Sequence, residues 1–360
     1  MIRSLRALAP IFTWQNTLRV AGASTALAAA FYPRAAWDTA VFVFDALVSV
    51  APLVIPGILI AAWVMASGAG GRISAAFGGH AVKAVLIASA VGAVTPVCGV
   101  TVLPLMVGLL AAGVPLAPVM AFWLSSPVTD PAMLATTAAT LGWSFAVGKT
   151  AAAFGIGLLG GVATGLFTGR PWIASPLRDN GIVRGLDGSS GPGGNGPGGN
   201  GPGGECDRNG ACGPAAFVAA PWRDAERRRL FAGQTWATTR LILICLIPAF
   251  AAEHLLHAVL DPGALAGLVG EDVWWAVPLT VLVGAPAYLD GYAALPLTRG
   301  LMDHGMSPGA AMAFLVSGGV VSIWGAMAIL PVLRLKPFTL YLLLAVAGSM
   351  AAGWVYGAMV

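Results

Sequence analysis

The chain has 360 residues, of which 58% are hydrophobic and only 9% charged, with a formal net charge of +4. A soluble domain carries about 25% charged residues, so this composition describes an integral membrane protein and excludes a soluble enzyme. The charge is too small for nucleic-acid binding. Four cysteines, Cys98, Cys206, Cys212 and Cys245, are too few and too scattered for a disulfide framework.

In chain order, residues 1–36 form a basic then apolar segment with Arg3, Arg6 and Arg19. Its apolar part, residues 20–32, is shorter than the ~20 residues a span needs, and a long basic lead containing Trp14 argues against a cleaved signal peptide. The expectation is an uncleaved helix lying on, or shallowly crossing, the membrane. Residues 37–167 contain four apolar stretches: 37–67, 82–112, 115–142 and 143–167. The middle two are interrupted, by Pro96, Gly99 and Pro104 in one and by Pro127 and Pro131 in the other. An unpaired backbone group in lipid costs several kcal/mol, so broken helices persist only where protein or a water-filled cavity covers them. Such breaks are the usual pointer to a transporter's binding site.

A polar insert at residues 168–233 follows, carrying Arg170, Arg178, Arg184, Arg208, Arg223 and the run Arg227-Arg228-Arg229. Positive charge places it in the cytoplasm, and the tandem GPGGN repeat in its centre reads as flexible coil. Apolar stretches resume at 234–258, 273–303, 307–331 and 337–359.

This second set repeats the first. Adding 192 to residues 92–128 gives 284–320 without a gap, and 14 of the 37 positions are identical, among them Gly92/Gly284, Gly99/Gly291, Pro104/Pro296, Gly113/Gly305, Phe122/Phe314 and Ser125/Ser317. The same offset pairs Ala153, Gly157, Gly161 and Gly165 with Ala345, Ser349, Gly353 and Gly357. Small residues at four-residue spacing let helix backbones approach closely in lipid. The expected fold is all-α and polytopic, with two homologous four-span repeats (37–167 and 234–360) and an N-terminal helix. An even number of spans implies repeats of equal orientation, unless re-entrant hairpins at the breaks change the count.

The candidate substrate- or ion-binding residues lie in those breaks. Cys98 in the first repeat pairs with Asp290 in the second. A buried cysteine is commonly a small core residue, whereas a carboxylate inside a membrane is a functional candidate by default. Ser125, Ser126, Thr129 and Asp130 gather hydroxyls and a carboxylate at the Pro127 break, with Ser317 and Ser322 at matching positions. Thr129 or Asp130 also suits an N-cap for a helix restarting at Pro131. Lys149 falls within a span and has the length to snorkel. Two metal-ligand sets are weighed: Glu253, His254 and His257 (with Asp261), set against ordinary interfacial polarity, and Cys206 with Cys212, set against two incidental thiols. No cofactor motif is present, and no Gly-Lys-Ser/Thr phosphate loop.

The string VCGVTVLPLMVGLLAAGVPLAPVMAFWLSSPVTDP and its second-half counterpart resemble the signature of the bacterial predicted-permease family that includes the ArsP organoarsenical efflux permeases. The resemblance implies a multi-pass inner-membrane permease and, in the arsenical branch, efflux of trivalent organoarsenicals. Such substrates are soft and thiophilic. Cys98 matches the first cysteine of the family motif, while Gly99 and Val100 replace its Ser and second Cys. The expected function is ion-coupled movement of a small solute, with a passive channel and a membrane metal-processing protein as the alternatives.

Overall fold

The structure is a computed structural model that describes residues 33–69, 80–95, 102–111, 113–179, 183, 204–206, 212–214, 217–259, 275–284, 294–321, 326 and 329–360. The described residues are mostly helical. Helix α1 spans Pro33–Ser67, α2 Ala81–Val94, α3 Leu103–Ala111, α4 Leu116–Ser125, α5 Pro131–Leu141 and α6 Trp143–Gly165. After the insert come α7 (Ala225–Val259), α8 (Ala276–Gly284), α9 (Ala294–Asp303), α10 (Pro308–Val320) and α11 (Leu335–Met359). Segments of α1, α6, α7 and α11 are long and apolar enough to cross a membrane: Pro33–Pro52, Trp143–Gly165, Ala225–Ala252 and Leu335–Met359. Large apolar side chains such as Phe44, Ile60, Leu343 and Trp354 face outward, as a lipid-facing surface requires.

The prolines explain where helices start. Pro104 and Pro131 sit in the first turn of α3 and α5, where a missing N–H removes no helical bond. Pro296 does the same in α9. Helix α4, ten residues long, measures about 15 Å, half the ~30 Å hydrocarbon thickness.

Tight packing fixes the helix directions. A Cβ on Gly161 of α6 would fall 2.9 Å from Ala121 Cβ on α4 and against Val85 of α2; one on Gly157 would meet Ala121 O at 2.7 Å and Ser89 Oγ at 3.0 Å. A Cβ on Gly92 of α2 would overlap Ser125 of α4. Thus α2 and α4 run parallel, α6 runs against both, and α3 returns the chain between them. The second half packs the same way. Gly353 of α11 faces Ala313 of α10 and Val277 of α8, and Gly284 faces Ser317. Turn geometry also matches at the 192 spacing. Gly113 and Gly305 have φ of 85° and 97°, a left-handed conformation that favours glycine. The bonds Val114 N→Leu109 O and Met306 N→Leu301 O close both turns.

Helices at the 192 spacing pack antiparallel. In α1 and α7, Thr39 Oγ1 lies 3.0 Å from His254 Nδ1, while Arg227 at the other end donates to Ser67 O at 3.2 Å. In α6 and α11, Phe145 stacks edge-on with Tyr356, and a Cβ on Gly348 would touch Ile156. The equal orientation implied by counting four spans therefore does not hold for these pairs. Parallel α2 and α4, with α3 between them in the chain, are what a re-entrant hairpin at the first break would give, and such a hairpin changes the count.

The insert also differs from a plain coil. Residues 171–174 make one helical turn, and Arg178 N→Val332 O with Arg334 N→Pro176 O ties this segment to the start of α11. Gly204–Cys206 and Cys212–Pro214 pair as two antiparallel strands, a departure from an all-α chain. Helix α7 begins nine residues before position 234, so Arg227, Arg228 and Arg229 are helical; Asp224 Oδ1 accepts the Glu226 N–H at 3.1 Å near its start.

Candidate functional site

The break between α4 and α5 follows from its two prolines. Pro127 has no N–H to continue α4, and Pro131 disfavours helical geometry in the residue before it. Asp130 is accordingly extended, with φ −146° and ψ 170°. In that conformation Oδ1 accepts the N–H groups of Ala132 and Met133, both at 2.8 Å. Asp130 is thus the N-cap of α5 and is buried, at 9% exposure.

This break meets the end of α10. A Cβ on Gly319 would lie 2.7 Å from Pro127 O, so the two backbones touch with no side chain between them. Gly319 is the residue 192 positions after Pro127. Beside this contact, Tyr341 of α11 is buried and donates its hydroxyl to Val320 O at 2.7 Å, satisfying a carbonyl at the C-terminal end of α10. Its ring packs on Trp123 of α4, 5.1 Å between centroids.

The position equivalent to Tyr341 in the first half is Lys149. Snorkelling is not what this side chain does: Lys149 lies on the buried face of α6 and is 3% exposed. The charged group set against it is Asp130, with which it interacts electrostatically. A buried lysine that interacts electrostatically with a buried carboxylate beside a helix break is an arrangement that residue-by-residue reading missed. Its signal was present in the sequence, because the 192 offset pairs this lysine with an aromatic residue.

The remaining candidates divide. Ser125 and Ser317 are fully buried and bond their own helices, to Ala121 O and Phe122 O in one case and Phe314 O in the other. They pack against Gly92 and Gly284. Thr129 is buried in the break. Ser126, also in the break, is buried with no hydrogen-bond partner among the described residues, as is Thr137 of α5. His254 is engaged by Thr39 and lies 5.0 Å from the Phe42 ring. Glu253 and His257 belong to α7, and Cys206 stands opposite Cys212 in the hairpin register, but these four side chains lie outside the described residues. So do Pro96, Cys98, Gly99, Asp290, Gly291, Ser322 and Asp261. Among the described residues no three His, Cys, Asp or Glu side chains come together as a metal site.

Comparison with known proteins gives a match to a family described as predicted permease, over residues 38–358. A UPF0718 protein of Methanocaldococcus jannaschii is 27% identical over 136 residues, which is 38% of this chain and 37% of that relative. The alignment therefore spans little more than a third of the relative's length. No solved structure matches.

Proposed function

The chain belongs to the predicted permease family, and from that premise we propose that it is a secondary permease whose two inverted repeats enclose the solute path. The observation that carries this reading is the contact of Pro127 with Gly319, equivalent positions at which two interrupted helices meet. Repeats of opposite orientation with breaks at mid-membrane depth are the arrangement that lets one site face each side in turn. The antiparallel pairing of α1 with α7 and of α6 with α11 supports it.

The solute we favour is a soft organoarsenical, metalloid or metal-related species, exported across the bacterial inner membrane by ion coupling. Cys98 supplies the thiol and Asp290 the carboxylate, at equivalent positions of the two halves. The test is counterflow in proteoliposomes with trivalent methylarsenicals, metal ions and organic anions. Wild-type protein is expected to exchange at least one of these. Asp290→Asn should stay folded and lose coupled flux, while Cys98→Ser should slow a thiophilic solute and spare a hard one. Absence of exchange for the whole panel in folded wild-type protein overturns the permease reading.

A further inference from the structure

We propose that the cavity at the C-terminal end of α6 is a lipid site that holds the phosphate headgroup of an anionic phospholipid. The inference stands apart from the permease reading, because it concerns what the fold binds at the membrane boundary and not what it moves.

The cavity has a volume of about 350 Å³, within the range of small-molecule sites. Two segments far apart in sequence build it: the turn from α3 into α4, and the end of α6 with the helical turn 171–174. Leu110, Val114, Leu116 and Ile173 give it an apolar wall. Thr164 and Thr168 also line it, but their hydroxyls already donate to Gly160 O and Gly165 O on their own segment. A ligand with acceptor oxygens must therefore find its donors elsewhere.

Arginine supplies them. Arg170 lines the cavity and is exposed, and its guanidinium has no hydrogen bond or ion pair among the described residues. A second guanidinium stands at the rim. Ser175 lies between the lining residues Ala174 and Pro176, and Arg334, just before α11, donates to Ser175 Oγ at 3.1 Å. No carboxylate pairs with either arginine among the described residues. A planar guanidinium matches phosphate oxygens two at a time.

The two halves differ at this place. Helix α10 begins with a cap, Ser307 Oγ accepting the Ala310 N–H at 3.3 Å. At the equivalent start of α4 stands Pro115, which offers no side-chain cap. Leu116 and Ala117 both line the cavity, and neither N–H is bonded to a described residue. The first half thus leaves the positive end of a helix open where the second half closes it, and that end adds to the attraction of the arginines for an anion.

Depth selects a lipid over a soluble anion. The cavity lies just past Trp143–Gly165, a segment long and apolar enough to cross a membrane, and so at the membrane–water boundary. Phe167 and Trp172 stack there with centroids 5.7 Å apart, and aromatic rings collect at headgroup level. Leu166 beside them is 81% exposed, as a residue facing acyl chains would be. An apolar wall below a basic mouth at this depth fits a phosphate above its glycerol ester, and basic pockets between membrane helices take such headgroups.

The test resolves lipids bound to the full chain by native mass spectrometry, titrating with phosphatidylglycerol and with phosphatidylcholine of the same acyl chains. Wild-type protein is expected to hold one phosphatidylglycerol in clear preference to phosphatidylcholine. Arg170→Gln should lower its affinity about fivefold, the effect of one basic residue beside an anionic surface, and leave phosphatidylcholine unchanged. Arg170→Lys should retain part of the preference. Ala174→Trp, which fills the cavity without changing charge, should displace the lipid as well. Arg229→Gln removes an exposed charge on α7, away from the cavity lining, and should leave the preference intact. Equal affinity of the wild-type protein for the two lipids, or an equal loss in Arg229→Gln, overturns the site. Displacement of phosphatidylglycerol by millimolar inorganic phosphate would mark a soluble-anion site and overturn the lipid assignment.

Discussion

Gly161 lets α6 lie against two neighbours at once, because the space a side chain would fill is taken by Val85 and Ala121. Gly161→Ala overpacks that junction and is expected to destabilise the protein by about 1–3 kcal/mol. Gly155, on the exposed face of the same helix, would place a Cβ with nothing within 4 Å of it. Gly155→Ala should leave stability unchanged or raise it by up to about 1 kcal/mol through helix propensity. Thermal unfolding in detergent separates the two. The small-residue ladder containing Gly161 was legible in the sequence because its four-residue spacing says which face is close-packed. Lys149 was not legible in the same way. A lysine in an apolar span has a generic account, and only the fold shows Asp130 set against it.

At the scale of elements, helix starts and breaks were readable because proline and glycine act locally. Pro131 fixes the geometry of Asp130 whatever the rest of the chain does. Direction was not readable, since a 30-residue apolar stretch looks the same whether it crosses or returns. The parallel run of α2 and α4, and the opposite run of α6, are set by the contacts that Gly92, Gly157 and Gly161 make on neighbouring helices. The insert divides on similar grounds. Its ends are tied to the rest of the chain: Arg178 donates to Leu333 O at 2.6 Å, and Trp63 of α1 donates to Ala219 O at 2.9 Å. The glycine-rich centre offers no apolar side chain to offset an ordering entropy of about 1–2 kcal/mol per residue. Deleting residues 188–203, which stops short of the hairpin and of both anchored ends, should leave expression, melting temperature and flux at wild-type values. A substantial fall in any of them would show that the centre has a structural or gating part.

At the scale of the whole molecule, Pro127 and Gly319 are positions 192 apart in sequence whose backbones touch. Gly319→Val places a branched side chain against the Pro127 carbonyl. The expected outcome is a folded protein with an unchanged elution profile and little or no counterflow. Normal flux in that variant would show that the halves do not need this close approach.

If the halves exchange their conformations about that contact, most backbone contacts are regained in mirrored form, as the matching turns at Gly113 and Gly305 illustrate. The two arrangements are then near-degenerate, and their energies differ chiefly where equivalent residues differ. Lys149 against Tyr341, and Pro127 against Gly319, are such places. On the proposed permease reading, a resting preference for one side of the membrane would be set by a handful of side chains rather than by the architecture, and exchanging those few between halves should reverse the bias without altering the fold.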